Sequence, residues 1–313
     1  MANRKRRGRA VNGILIFDKP EKLSSNAALQ QVKRLYFASK AGHTGSLDPL
    51  ATGVLPICFG EATKFSQYLL NADKSYTATV VLGAKSSTED ADGEIQFIAD
   101  ASGIAQREIE AVIAELRGEQ MQVPPMYSAL KHQGQRLYKL ARQGQEVERQ
   151  ARPVTVHKLE LLALRHSEAD PRYLLIDLAL DVSKGTYVRS IAAEIGEQLG
   201  VGGYLCSLRR TAVSGFSIDQ AVSLDQLQAL KEQEQLAQMD ELLLPVTTAL
   251  SQLPIVTLDD SSSYYLMRGN PVQVPQAPSS GVVQVLRESG EFVGIAEIDG
   301  DGRVAPKRLI AGA

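Results

Sequence analysis

The apolar residues of this chain fall in short runs whose period keeps changing, and that alternation points to a mixture of helices and strands. Residues 13–17 (GILIF), 54–59, 77–82 and 173–182 are apolar or β-branched stretches of strand length. Between them the spacing is helical: Leu29, Val32 and Leu35, then Ile109, Val112, Ile113 and Leu116, then Ile191, Ile195 and Leu199. Ser24 or Ser25 can cap the first of these helices, and Gly118 and Gly200 stand where the others should stop. Ser223 and Gln226 form a capping box before a further helix in the acidic stretch 217–244. Beyond residue 250 the pattern turns to strand, at 282–286, 292–298 and 303–305. Asp299-Gly300-Asp301-Gly302 supplies hairpin chemistry between the last two. These patterns predict a mixed α and β body over residues 1–250 and a small β-rich unit over 251–313, divided at a link bracketed by Pro245 and Pro254. No apolar run approaches the ~18 residues of a membrane helix, and the N-terminus has no apolar core of signal-peptide length, so neither a membrane span nor an export signal is expected.

At 313 residues the chain can bury a core without staples. Its two cysteines, Cys58 and Cys206, are too few for a disulfide framework or a four-cysteine zinc site. That usage fits a reducing compartment, and a cytoplasmic location is expected. Net charge is only −2, yet residues 1–70 carry +7, 71–120 carry −6, 121–152 carry +4 and 217–260 carry −7. Two basic segments on an otherwise acidic chain point to a polyanionic partner. The first includes a flexible arm with Arg4, Lys5, Arg6, Arg7 and Arg9. The second, 124–152, opens with Pro124-Pro125 and is jointed at Gly134 and Gly144. Arg136, Lys139 and Arg142 lie on one side of a short helix there, and Leu137, Leu140 and Ala141 on another. It reads as a basic insertion that can move.

The densest unusual segment is 41–55, AGHTGSLDPLATGVL. Gly42, Gly45 and Gly53 allow a backbone that bulkier residues cannot follow and let a ligand come close. Asp48 is the only carboxylate between Glu21 and Glu61, and Pro49 follows it. A lone acid in a basic neighbourhood is a candidate catalytic group, although spacing alone favours the plainer role of supporting a turn. The segment is no phosphate loop, since Gly83-Ala84-Lys85-Ser86 holds only the tail of that motif. His132, His157 and His166 make no metal-ligand spacing.

A family resemblance adds to these readings. GILIFDKP, AGHTGSLDPLATGVLPI, SYTATVVLG, MYSALK and SKGTYVRS occur in the order and spacing of the TruB family of tRNA pseudouridine synthases, which isomerise uridine 55 of the T loop. The likeness covers nearly the whole chain. It implies an α+β fold: a mixed, mainly antiparallel pseudouridine-synthase sheet flanked by helices, then a small β-rich PUA pseudo-barrel that binds RNA. It implies that Asp48 is the essential carboxylate, overturning the turn-only role, and that Arg189 pairs with it and keeps it ionised. Tyr76 matches the tyrosine that stacks on the target base and assists proton removal. Tyr187 matches a second pocket tyrosine, and Leu208 the leucine that closes the opposite side. His43 resembles the histidine that enters the T loop where bases leave the stack. Lys19 and Pro20 match a Lys-Pro motif expected to pack beneath the site. Lys64, Arg209, Arg210, the arm and the insertion become candidate phosphate contacts. The reaction gains and loses no atom, so no cofactor is implied. The expected partner is the tRNA T stem-loop, with no metal, no membrane and a monomeric enzyme.

One stretch departs from the family pattern. Residues 85–93, KSSTEDADG, have Ser87 where relatives usually carry another Asp, while Asp90 and Gly93 keep the pattern. Residues 90–93 read as a turn rather than a calcium loop. Two rival functions are weaker. A uracil-C5 methyltransferase would need a reactive thiol, and Cys58 lies inside the apolar run LPICF. A non-catalytic RNA-binding or RNA-folding protein on the same scaffold would not need Asp48, Tyr76 and Arg189 together.

Overall fold

A computed structural model describes residues 8–310. Arg4, Lys5, Arg6 and Arg7 of the expected arm lie outside the described residues. The chain opens with Gly13–Lys19 (β1), Ser25–Leu35 (α1), Ala41–His43 (β2), Thr52–Phe59 (β3), Ser66–Leu70 (α2) and Lys74–Leu82 (β4). Ala84–Ser86 (β5), Ile95–Phe97 (β6), Gln106–Glu115 (α3) and Gly118–Gln122 (β7) follow. The insertion holds Lys131–His132 (β8), Gln135–Arg136 (β9) and Leu137–Ala141 (α4). Then come Arg152–His166 (β10), Leu174–Val182 (β11), Val188–Gln198 (α5), Gly203–Val213 (β12), Phe216–Ser217 (β13) and Val222–Ser223 (β14). Leu224–Glu232 (α6) and Leu236–Glu241 (α7) precede the last group: Ile255–Leu258 (β15), Asp260–Met267 (α8), Gly281–Arg287 (β16), Phe292–Ile298 (β17) and Val304–Leu309 (β18).

One large sheet organises the body, in the order β14-β1-β3-β12-β4-β11-β10-β7, with β2 on β3 and β13 on β12. Its pairs are antiparallel except β1 with β14 and β3 with β12. Alternation in β11 is complete: Leu174, Ile176, Leu178, Leu180 and Val182 enter the core and their neighbours do not. The helices cover that core with the residues their spacing singled out. Leu29 and Val32 of α1, Ile109 and Ile113 of α3, and Ile191 and Ile195 of α5 join one apolar cluster with β4 and β11. The Ser24 hydroxyl caps α1, accepting from the Ala27 amide at 3.2 Å. Gly53 lets β3 lie against β12. Its φ is +100°, and a Cβ there would stand 2.2 Å from the Arg210 carbonyl oxygen. No helix among the described residues is long and apolar enough to cross a membrane.

The expected short helix of the insertion spans Leu137–Ala141, with Leu137 and Leu140 buried and Lys139 and Arg142 exposed, while Arg136, expected on that helix, ends β9 and is also exposed. A small C-terminal β domain carries a separate sheet, β15-β16-β17-β18, around Val256, Leu266, Val283, Val285 and Val293. Phe65, Leu250 and Ile295 form a further cluster that joins it to the body, where the rings of Phe65 and Phe292 meet edge to face at 5.5 Å.

Candidate active site

Asp48 lies in the loop between β2 and β3, and that loop is pinned from several sides. The Ser25 hydroxyl donates to the Leu47 carbonyl at 2.9 Å and accepts from the Leu47 amide at 2.7 Å. The Ala51 amide donates to the Asp48 carbonyl at 3.1 Å, and the Lys22 amide to the Pro49 carbonyl at 2.8 Å. Beneath them Lys19 is fully buried. Its Nζ donates to the carbonyls of Pro20 at 2.8 Å, Leu23 at 2.6 Å and Pro49 at 3.5 Å. Burial pushes its pKa down to about 8, and the Asp48 charge opposes that fall. The Asp48 backbone carbonyl thus closes a turn, and the Asp48 side chain is still 43% exposed.

Arg189, in the first turn of α5, stands behind that carboxylate with its side chain only 4% exposed. Its Nη2 is 3.0 Å from Asp48 Oδ2 and donates to the Tyr127 carbonyl at 2.7 Å. Its Nη1 is 3.3 Å from Asp90 Oδ2 and donates to the Thr88 carbonyl at 3.2 Å. A buried guanidinium is tolerated when it is paired and its donors are satisfied, and here two carboxylates and two carbonyls do both. Burial raises the Asp48 carboxyl above the ordinary carboxylate range; Arg189 opposes the rise, and Asp90 and Asp92 add to it. The guanidinium is therefore the main group that favours a charged Asp48 against desolvation, and Lys19 adds to it.

Tyr187 immediately precedes α5. Its amide donates to Gln122 Oε1 at 2.8 Å, and Gln122 Nε2 donates to its carbonyl at 3.2 Å. Burial pushes its phenol up, and the charges of Arg189 and Asp48 both reach it. Tyr76 lies on β4, cross-strand from Leu180 of β11 and Arg210 of β12. It shares an apolar cluster with Leu47 and Leu208. Leu208 borders a cleft of about 450 Å³ walled also by Leu50, Thr52, Thr77 and Arg209; Asp48 and Arg189 are not among its walls. A larger cleft, about 790 Å³, lies elsewhere, between Asp73, Lys74, His157 and Lys307. His43 lies on β2 opposite Ile57, and its buried Nδ1 has no partner among the described residues. Burial, with Arg210 adding to it, lowers its pKa, so the imidazole is neutral at neutral pH.

Three family models cover this chain. The TruB family pseudouridylate synthase N-terminal domain matches residues 33–188. The tRNA pseudouridylate synthase B C-terminal domain matches 189–251, and the pseudouridine synthase II TruB C-terminal model matches 254–310. The chain is 50% identical over 310 residues to the tRNA pseudouridine synthase B of Pseudomonas fluorescens, covering 99% of both chains. The chain belongs to the TruB family. To the Shigella boydii tRNA pseudouridine synthase B it is 48% identical over 317 residues, covering 99% of this chain and 98% of that one. A chain of a solved Cbf5-Nop10-Gar1 complex superposes with a TM-score of 0.70 at 25% identity, over 95% of this chain and 84% of that one. A chain of an H/ACA RNP bound to a substrate RNA has the same fold, with a TM-score of 0.70 at 22% identity, over 98% of this chain and 91% of that one. As a TruB member the protein is an isomerase that converts uridine to pseudouridine in tRNA.

Of the cations expected at phosphates, Arg210 is turned inward in this TruB chain, while Lys64 stays part-exposed and bonded to its neighbours. Arg210 is 1% exposed; its Nε donates to the Val54 carbonyl at 2.6 Å and its Nη2 to the Gly45 carbonyl at 3.1 Å. It braces the Gly-rich loop from inside. Lys64 Nζ reaches Glu61 Oε2 at 2.5 Å and the Leu309 carbonyl at 2.9 Å, tying β18 of the C-terminal domain to the body. A sequence displays the cation and not the acceptor that the fold brings to it. Arg209 keeps a partly exposed side chain, paired with Asp18 at 2.8 Å, and Arg9 pairs with Asp240. Asp90 carried a legible signal, a carboxylate held at its family position, but its turn geometry concealed a second role. It builds the turn, accepting from the Asp92 amide at 3.2 Å, and also faces Arg189. Cys58 is buried, and burial pushes its thiol up to about 12, which removes it as a nucleophile.

Proposed function

We propose that this TruB enzyme isomerises uridine 55 in the T loop of tRNA, with Asp48 acting on the flipped nucleotide. The observation that carries the proposal is the half-exposed Asp48 carboxylate, 3.0 Å from a buried Arg189 that also faces Asp90. A carboxylate on a pinned turn with a fixed cation behind it presents a charged oxygen outward, which covalent or ion-stabilising work on the nucleotide requires. In the reaction the N1–C1′ bond breaks and a C5–C1′ bond forms; C5 gives up its proton and N1 acquires one. Attack at C1′, attack at C6 and assistance of glycal formation at the 2′ position all need Asp48 ionised.

The remaining roles follow from placement and chemistry. Tyr76 and Tyr187 are the aromatic surfaces for the uracil, with Tyr76 assisting proton removal, and Leu208 closes the opposite side. His43, neutral and with a free ring nitrogen, enters the T loop where the bases leave the stack. Lys19 and Pro20 support the Asp48 turn from below. Arg136, Lys139, Arg142 and Arg209 are the phosphate contacts, and residues 251–313 form a PUA-like RNA-binding unit. The enzyme works as a cytoplasmic monomer without a cofactor. The test is incubation of a T-stem-loop RNA with the protein alone, followed by mapping of pseudouridine. Modification at position 55 is expected, and Asp48→Asn is expected to slow it by about 10³-fold or more while RNA binding survives. Normal turnover in that variant would refute Asp48 as catalyst.

A further inference from the structure

Residues 85–93 do more than turn the chain. The Thr88 carbonyl and the Asp90 carboxylate both face Arg189, and Glu89, between them, reaches the residue next to that arginine. The Ser190 hydroxyl donates to Glu89 Oε2 at 2.9 Å. The Glu89 backbone is left-handed, with φ +62°, a conformation that a residue with a Cβ keeps only where its surroundings hold it. Two bonds hold it here. Its carbonyl accepts from the Leu205 amide of β12 at 3.0 Å, and its amide donates to the Ser86 carbonyl at 3.1 Å. The Ser87 side chain only accepts from the Glu94 amide at 2.9 Å. The carboxylate that this loop sends to α5 beside Asp90 is therefore that of Glu89.

The charges around Glu89 come from three directions: Arg189 on α5, Arg149 on the insertion and Asp90 on its own loop. Burial raises its carboxyl, and Ser190, Arg189 and Arg149 oppose the rise. Arg149 closes the root of the insertion, donating from Nη1 to the Pro124 carbonyl at 3.3 Å, and its buried Nε has no partner among the described residues. Tyr127, from the other side of that root, already holds Arg189 through its carbonyl.

We propose that Glu89 is a positioning residue for the isomerisation: it holds the first turn of α5, and with it the Arg189 guanidinium. The proposal rests on Arg189 being the working partner of Asp48. The test compares Glu89→Gln, Glu89→Asp, Ser190→Ala and the Glu89→Gln/Ser190→Ala double variant by single-turnover rate at saturating tRNA, tRNA affinity and thermal midpoint. Glu89→Gln is expected to lower the saturated rate about tenfold or more, since misplacing an acting group by about 1 Å costs up to about 10²-fold. Affinity and midpoint stay near wild type. Glu89→Asp, which keeps the charge, recovers part of the rate. Ser190→Ala loses part of it, and the double variant loses no more than the larger of the two single losses, because both changes act on one contact: Gln accepts from Ser190 more weakly than the carboxylate, and Ala removes the donor. A wild-type rate in Glu89→Gln overturns the proposal. So does a loss confined to affinity or midpoint, or losses that multiply in the double variant. Should Glu89→Gln fold poorly, Ser190→Ala reads the same contact from its other end, and a wild-type rate there overturns the proposal equally. Arg189→Met, run alongside, separates the two readings. If it loses turnover while Glu89→Gln does not, only the Glu89 role falls; if it keeps turnover, the Arg189–Asp48 reading falls with it.

Discussion

Arg189 concentrates the chemistry of this molecule in one side chain. Its charge is shared between Asp48, which is open to solvent, and Asp90, which is not. Asp90→Asn leaves the buried cation with one carboxylate and a weaker acceptor. We expect a loss of about 1.5–3 kcal/mol in urea unfolding, the usual range for a hydrogen bond to a charged group. An unchanged midpoint would show that the pair contributes nothing to stability. Lys19 makes a second prediction, in pH. Its pKa falls from 10.5 to about 8 on folding, because burial disfavours the ammonium. Between those values the unfolded chain binds a proton that the folded chain does not, so this group adds stability as pH rises across the window and loses it as pH falls. The thermal midpoint of the wild-type chain is therefore expected to gain on that of Lys19→Met from about pH 8 to 10.5. Parallel curves would mean that Lys19 stays charged.

The elements matter chiefly through the loop they suspend. The start of α1 serves two purposes at once: Ser24 caps the helix, and Ser25 grips Leu47, one residue before Asp48. Both serines were legible as cap candidates, because the alternatives differ by one position. Which of them turns toward the loop depends on where β2 and β3 bring residues 41–59, and no local pattern holds that information. Ser25→Ala removes both bonds to Leu47 and leaves its buried amide unpaired, at about 1–3 kcal/mol. The saturated turnover rate is expected to fall as well, because the turn carrying Asp48 loses its inner anchor; a stability loss with full turnover would show that Lys19 and Lys22 suffice. Gly53→Ala tests the neighbouring strand. Its Cβ would meet the Arg210 carbonyl at 2.2 Å in a backbone with φ +100°, so denaturant unfolding is expected to register a loss of more than about 1 kcal/mol.

At the scale of the whole molecule the C-terminal domain is held to the body by more than its link. Phe65, Leu250 and Ile295 are shared, Phe65 stacks edge-on to Phe292, and Lys64 grips the last carbonyl of β18. Phe65→Ala empties the centre of that joint, a change costing about 3–5 kcal/mol in a packed core. If residues 251–313 bind RNA in a set orientation, tRNA affinity is expected to weaken while the saturated single-turnover rate holds. A rate loss with intact affinity would place the joint in the chemistry instead. The exposed cations Arg136, Lys139 and Arg142 belong to the same scale. Removing any one should flatten the salt dependence of tRNA binding by about one unit of slope, without changing which uridine is modified.

The period changes along the chain determined its mixture of helices and strands and the buried faces of α1, α3 and α5, because burial periodicity is a local property of a helix or strand. The resemblance of the ordered motifs to the TruB family marked Asp48, Arg189 and Tyr187, where spacing alone favoured a plain turn role for Asp48. What only the tertiary structure decided is which donors meet which acceptors. Arg210 and Lys64 looked alike as surface cations, and the fold gave each a carbonyl from a distant segment. Asp90 looked like a turn residue, and the fold placed it against a guanidinium 99 positions further along the chain. A hydrogen bond depends on position and direction within a few tenths of an ångström, and those are set by the packing of the whole sheet, not by the neighbours of a residue in sequence.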